Sequence, residues 1–252
     1  MADDIDIAEY LARGGKLTAP DNAPPRYRAE LMRQMASFVD SELAGAAGFA
    51  DGVNWGPSVA ARIAASRIVM EKLDHAERVL ALMGEFGANV DRYESVHPWS
   101  ARIDRDEDLG SKRFGGDMRL NVFHYPLTSW TDAVAMNVLM GAATIIQLEE
   151  LSHSSYQPFG DVLSEILPRE RRHAELGEEG LAQIAKGGAD ARKEIEASLA
   201  YWRPRVAATF GAPASKRFDL LKKLGLRHRP NDDLHEAWTR IVEARLADLL
   251  PN

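Results

Sequence analysis

From Tyr27 to about Ala50, apolar residues return near every third or fourth place, at Leu31, Met35, Phe38 and Leu43. That spacing follows the 3.6-residue period of a helix with one inward face. "DGVNWGP" (51–57) breaks it as a turn. The longest regular stretch runs from about Ser58 to Phe86 on Ala60, Ile63, Ala64, Ile68, Leu73 and Val79, and "GEFGANV" ends it with two glycines. Between 92 and 130 the period dissolves into "YESVHPWS", "RFGGDMR" and "FHYPLTSW", which predicts loop with short helical pieces. Helical spacing resumes over 131–151, with Ser129 or Thr131 as cap, and again from about Tyr156 to Lys186. Pro168 stands inside that second stretch, where proline costs about 3 kcal/mol and a kink is expected. "KGGADARKEIEASLAYWRPRVAATFG" and "NDDLHEAWTRIVEARLADLL" add further helices. Residues 13–26 are rich in Pro, Gly and polar groups, so 1–26 is expected as an arm or loop ahead of one helical domain, 27–252.

No run alternates in the manner of a strand and no internal repeat is visible, so the fold class is all-α. Four long central helices with accessory ones make a bundle, whose sites are built from facing helices. The 252 residues, 45% hydrophobic, suffice for one full core. The absence of cysteine excludes disulfides, zinc–thiolate sites and thiol nucleophiles. A formal charge of −7 argues against a broad nucleic-acid surface. "SKRFGGDMR" (111–119) and "KKLGLRHRP" (222–230) are the candidate basic patches for a small anion, or else solvated loop and helix ends. No apolar run approaches the 18 or so residues of a membrane span, and the opening "MADDIDIAEY" does not resemble a secretory signal. A cytoplasmic protein, bound neither to membrane nor to nucleic acid, is expected.

The candidate chemistry sits on the helices. "ILPRERRHAELG" (166–177) places Glu170 and His173 three apart, on one helix face. His75 lies in "IVMEKLDHAERVL" and Glu42 in "VDSELAGAAG". Carboxylate-bridged di-metal bundles use one carboxylate from each of two helices and Glu-x-x-His from each of the other two. Oxygen and imidazole ligands of this kind suit iron or manganese. Glu42, His75, Glu170 and His173 fit that template; Lys72 stands where the second helix should carry Glu, and the third helix, containing Gly141, has no carboxylate from Ala133 to Leu148. Glu-x-x-His is a cheap pattern, since Glu150 and His153 repeat it at a helix end.

The segment 123–177 goes further than spacing. Its "FHYP", "WTD", "SYQP" and "ERRH" resemble, in order and without a gap, the phenylacetate-catabolic family that contains the catalytic and structural subunits of the phenylacetyl-CoA ring epoxidase. "NWGPS" upstream, and "YWRPRVAATFG" with the terminal helix downstream, extend the resemblance over roughly 30–250. It implies a ferritin-like bundle and a multicomponent oxygenase. In that system a di-iron subunit pairs with an iron-free homologue and is fed by a flavin and iron–sulfur reductase. By position, Glu42, His75, Glu170 and His173 match the family's ligands, while Lys72 and Gly141 depart from them.

Each lost carboxylate removes one negative charge and the ammonium adds a positive one, about three units in all, where two metal ions would need negative charge. One expectation is therefore a metal-free centre in which Lys72 pairs with Glu42 and Glu170. The alternative keeps iron in an altered mono- or dinuclear site, with Glu71 joining because it lies four residues from His75. Glu71 and Lys72 point about 100° apart on a helix and cannot share one direction. A structural or substrate-binding subunit follows from the first picture. An oxygenase or oxidase acting on an aromatic acid or its CoA thioester follows from the second. A homodimer or a complex with a paralogous subunit is implied as the assembly. Trp55, Trp99, Trp130 and Trp202 read as packing anchors, and Arg169, Arg171 and Arg172 as mostly outward-facing; nothing assigns chemistry to His97, His124, His228 or His235.

Overall fold

The computed structural model describes residues 2–110, 114–213 and 216–250. Among the described residues it is helical, with no strand beyond one isolated bridge, Leu17 to Tyr156. The helices are α1 (Ala2–Ala12), α2 (Pro25–Gly52), α3 (Val59–Glu85), α4 (Val90–Val96), α5 (Trp130–Leu151), α6 (Gln157–Ala185), α7 (Ala189–Ala207), α8 (Lys216–Lys223) and α9 (Asn231–Leu249). It is an all-α, ferritin-like bundle: α2 packs along α3, α5 packs along α6, and α3 against α6 joins the two hairpins.

Local chemistry sets the boundaries. Pro25 opens α2 at the first helical position, where its missing N–H and fixed φ cost nothing. The Ser58 hydroxyl accepts from the Ala61 amide at the start of α3, and Ser129 accepts from Asp132 at the start of α5. Gly87, at φ 87°, turns the chain out of α3 while Ala88 donates back to the Met83 carbonyl. α6 runs unbroken through Pro168. Residues 92–130 are irregular, with α4 and a 3-10 turn at Asn121–His124, as the pattern predicts.

α5 is buried on every face from Thr131 to Ala143, which marks it as the central helix. It is the one helix among the described residues long and apolar enough to cross a membrane, and 83% of its most apolar window lies inside the protein. One core cluster joins α2, α3 and α6 through Leu31, Met35, Val79, Leu163 and Ile166; another joins α5, α7 and α9 through Leu139, Trp202 and Trp238.

The motifs of 123–156 act as fasteners. Asp132 takes both guanidinium arms of Arg105, at 2.7 and 3.2 Å, and the Trp202 indole N–H at 2.8 Å. Tyr125 donates to the Glu107 carbonyl, and the Ser155 hydroxyl donates to Leu224 O at 2.6 Å.

The first residues correct the expected arm. Residues 2–12 form α1, and Leu11, Leu17 and Ala23 are buried in the core with Tyr27. Leu17 N donates to Ser155 O, Gln157 N donates to Leu17 O, and the Lys16 ammonium donates to the His153 and Ser154 carbonyls. The segment's Pro- and Gly-rich composition describes its backbone. It does not reveal that three apolar side chains anchor it.

Candidate functional site

Glu42 on α2, Lys72 and His75 on α3, and Glu170 and His173 on α6 converge between the two hairpins, each at most 6% exposed. The Lys72 ammonium donates to Glu42 Oε1 at 2.9 Å and to Glu170 Oε1 at 3.0 Å. His75 Nδ1 lies 3.1 Å from Glu42 Oε2 and 3.1 Å from Glu170 Oε1. Carboxylates only accept, so the His75 proton sits on Nδ1. His173 Nδ1 lies 3.3 Å from Glu170 Oε1, while its Nε2 donates to Glu71 Oε2 at 2.6 Å. Glu71, 21% exposed, thus reaches the outer face of His173 from the rim and not the converging carboxylates.

The electrostatics reflect this crowding. Burial works against charging Lys72, but the charges and hydrogen bonds of Glu170 and Glu42 outweigh it and raise its pKa. Burial likewise opposes charge on His75, and the bonds to Glu170 and Glu42 overturn that too, leaving it raised. For Glu170, burial favours the neutral acid; Lys72, His173 and His75 prevail and hold it well below the ordinary carboxylate range.

Two details set the space. Gly45, one turn beyond Glu42 on α2, lies against Phe123 and the lysine stem: a Cβ there would stand 3.3 Å from Phe123 Cε1 and 3.4 Å from Lys72 Cδ. Gly141 on α5 crosses α6 at Ala174, where a Cβ would stand 3.0 Å from Ala174 Cβ and 3.1 Å from its Cα. The place that a third-helix carboxylate would need is closed by helix backbone. Sequence reasoning misses Gly45 and Ala174; the small-residue run "ELAGAAG" is the available signal for Gly45.

The residues do not fit a two-metal centre. Ligand atoms of Glu42, His75 and Glu170 do lie within 4.8 Å of one another, the geometry of one cation site. However, Glu170 Oε1 already faces three nitrogens, and both Glu42 oxygens are engaged. A metal would have to displace the ammonium, and Gly141 supplies nothing for a second ion. His75 Nε2, which has no hydrogen-bond partner among the described residues, is the ring nitrogen not bonded to the carboxylates.

Elsewhere, Glu150 accepts from the Arg229 amide at 3.0 Å and from the His228 amide, so the second Glu-x-x-His fixes a loop. Of the first basic stretch, 111–113 lie outside the described residues, and Arg119 is buried against Asp117 at 2.6 Å. In the second, Arg227 pairs with Glu150 at 3.5 Å while Lys222 and Lys223 are exposed. Arg169 and Arg171 are exposed and Arg172 is half-buried; all three are ion-paired, with Asp74, Glu149 and Glu175 among their partners. A cavity of about 470 Å³ reaches Glu42 and Ser41 past Phe38, Phe123, Met140 and Phe210.

Residues 8–250 match the family model described as phenylacetic acid catabolic protein. One component of the 1,2-phenylacetyl-CoA epoxidase of Escherichia coli (strain K12) is 23% identical over 207 residues, which cover 81% of this chain and 62% of that component. The chain thus spans less than two thirds of that relative's length. With its match running from within α1 to the end of α9, the chain belongs to the phenylacetic acid catabolic protein family.

Proposed function

We propose that this protein is an oxygenase-subunit-like member of its family whose metal centre has been replaced by an ion-paired network, and that it serves as a structural or ligand-binding subunit rather than a redox one. The observation that carries the reading is the Lys72 ammonium seated 2.9 and 3.0 Å from the two carboxylates that a metal would otherwise bridge. The closed crossing at Gly141 and Ala174 supports it from the opposite side. Buried charges persist when paired and hydrogen-bonded, and this cluster meets both conditions.

The ligand belongs to the cavity beside Glu42. Its aromatic and methionine lining suits an aromatic acyl group. Since the relative is named for phenylacetyl-CoA, an aryl-acyl CoA thioester is the first compound to try. Two assays test the reading together. Metal analysis of protein grown with added iron is expected to find close to no transition metal, and titration calorimetry with phenylacetyl-CoA is expected to show saturable binding weakened by Phe123→Ala. Stoichiometric iron that disappears in His173→Ala contradicts the metal-free centre. Absence of binding contradicts the ligand role and leaves a structural one.

A second reading, an iron-dependent oxygenase with a mononuclear site, draws on the convergence of Glu42, His75 and Glu170 within 4.8 Å. It requires the lysine to leave, and the same metal analysis decides it.

A further inference from the structure

The cavity beside Glu42 has a charged far end that the buried centre does not use. Arg33, Gln34, Ser37, Phe38, Ser41 and Glu42 line it from α2. At a rise of 1.5 Å per residue, the helix wall from Arg33 to Glu42 is about 13 Å long. The charged side chains that line the cavity are Arg33, Arg119, Arg217 and Arg227 against Glu42 alone, in a chain whose formal charge is −7. Arg119 is paired with Asp117, and Glu42 is engaged by Lys72 and His75. The other three guanidinium groups gather at the Arg33 end. Arg217 shares Glu30 with Arg33, and Gln34 holds the residue before Arg227 by donating to the Leu226 carbonyl at 3.2 Å.

Among the described residues, two carboxylates face these three cations. Arg217 Nε and its NH2 group meet Glu30 Oε2 at 3.0 and 2.9 Å, while Arg33 lies 3.9 Å from Oε1 of the same carboxylate. Arg227 Nε is 3.5 Å from Glu150 Oε1, an oxygen that also accepts two backbone amides. Burial and the charge of Arg217 lower the Arg227 pKa in spite of Glu150. Guanidinium forks bind phosphate oxygens bidentately, and a phosphate can face more than one of them. Next to this end, Gln34 Oε1 is buried without a hydrogen-bond partner among the described residues, so it calls for a ligand N–H. The order along α2 is cation, acceptor, aromatic ring, carboxylate. A molecule consisting of a ring and an acid group is too short to touch both ends. A chain with a phosphorylated tail, an amide linker and an aromatic acyl group matches the whole order.

Resting on the ligand role proposed for this cavity, we propose that Arg33, Arg217 and Arg227 form a phosphate subsite at its mouth. Glu30 holds Arg33 and Arg217 until the phosphorylated tail of an aryl-acyl thioester takes its place. The aromatic group then lies inward, toward Phe123 and Glu42.

Titration calorimetry on the full chain compares phenylacetyl-CoA with S-phenylacetyl-N-acetylcysteamine, a thioester of the same acid without phosphates. Arg33→Gln combined with Arg217→Gln is expected to weaken phenylacetyl-CoA about tenfold and to leave the truncated thioester within about twofold of the parent. Glu30→Gln is expected to tighten phenylacetyl-CoA about threefold, because both guanidinium groups lose the carboxylate that competes for them. Inorganic pyrophosphate alone is expected to bind at least about tenfold more weakly than the CoA thioester. An arginine double variant that leaves phenylacetyl-CoA binding intact, or weakens both thioesters alike, overturns the phosphate subsite. Glu30→Gln needs neither arginine altered, and weaker binding in that variant overturns the exchange at Glu30. Pyrophosphate binding as tightly as the thioester overturns the link between this subsite and the acyl end. A parent that binds neither thioester overturns the ligand role of the cavity itself, whereas equal binding of both keeps that role and overturns the subsite alone.

Discussion

Lys72 decides the character of the centre. Its position three residues before His75 is one that di-metal helical bundles give to a carboxylate, and its ammonium occupies the space between Glu42 and Glu170. Removing it leaves two buried carboxylates with only the imidazoles of His75 and His173 beside them. Lys72→Ala is accordingly expected to destabilise the fold by about 3–5 kcal/mol in urea unfolding. Lys72→Met with Glu42→Leu and Glu170→Leu, which removes the charges together, is expected to recover most of that loss. A single Lys72→Ala change without effect on stability would mean that the network is not formed.

Titration gives an independent prediction for the same residues. Glu170 is depressed, so its contribution is present above the unfolded carboxylate value of about 4.3 and is lost as pH falls through its lower folded value. His75 is raised, so its contribution is complete below the unfolded imidazole value of about 6.5 and is lost as pH rises through the higher folded value. Stability measured across pH should therefore peak between about 4.5 and 6.5. His75→Gln is expected to flatten the alkaline decline. An unaltered decline in that variant would assign it elsewhere.

Between helices, the crossing of α5 and α6 matters as much as the lysine. Gly141 permits α5 to approach within van der Waals distance of Ala174, and an added methyl already meets α6 at 3.0 Å. Gly141→Ala is expected to cost about 1–3 kcal/mol by overpacking, and Gly141→Glu more. Lys72→Glu alone is expected to bind a single transition ion and not a pair, because that crossing stays closed. Much of this is legible in the amino-acid order. The helical periods mark the long helices to within a few residues, since strongly periodic segments bury a continuous face. The residues of the centre can be named because ligand geometry demands fixed spacings. Distance across the bundle is what the order of residues does not carry. A missing carboxylate at Gly141 says that a ligand is absent, but not that the helices have closed over its place. Likewise the position of Glu71, four residues before His75, suggests a ligand. Its side chain instead reaches across to the outer nitrogen of His173.

Across the full chain, the N-terminal segment and α3 set the boundaries of the fold. The segment before α2 serves as a strap: Leu17 is 5% exposed and its backbone pairs on both sides with Ser155 and Gln157. Leu17→Ala is expected to lower stability by about 2–5 kcal/mol, as for a core leucine. A change near zero would return the segment to the loose arm that its composition suggests. Its backbone is turn-like and its side chains are core, and composition reports only the first. α3 faces two ways, with its buried side in the charged centre and Val59, Ile63, Met70 and Leu73 exposed on its outer side. Family membership covers nearly the whole described chain.

An anomalous-difference map at the iron edge, from crystals grown with added iron, decides between an ion-paired centre and a metal one. No peak is expected between the carboxylates of Glu42 and Glu170, with the lysine ammonium in hydrogen-bonding contact with both. A strong peak ligated by Glu42, His75 and Glu170, with the Lys72 side chain turned away, would contradict the ion-paired centre.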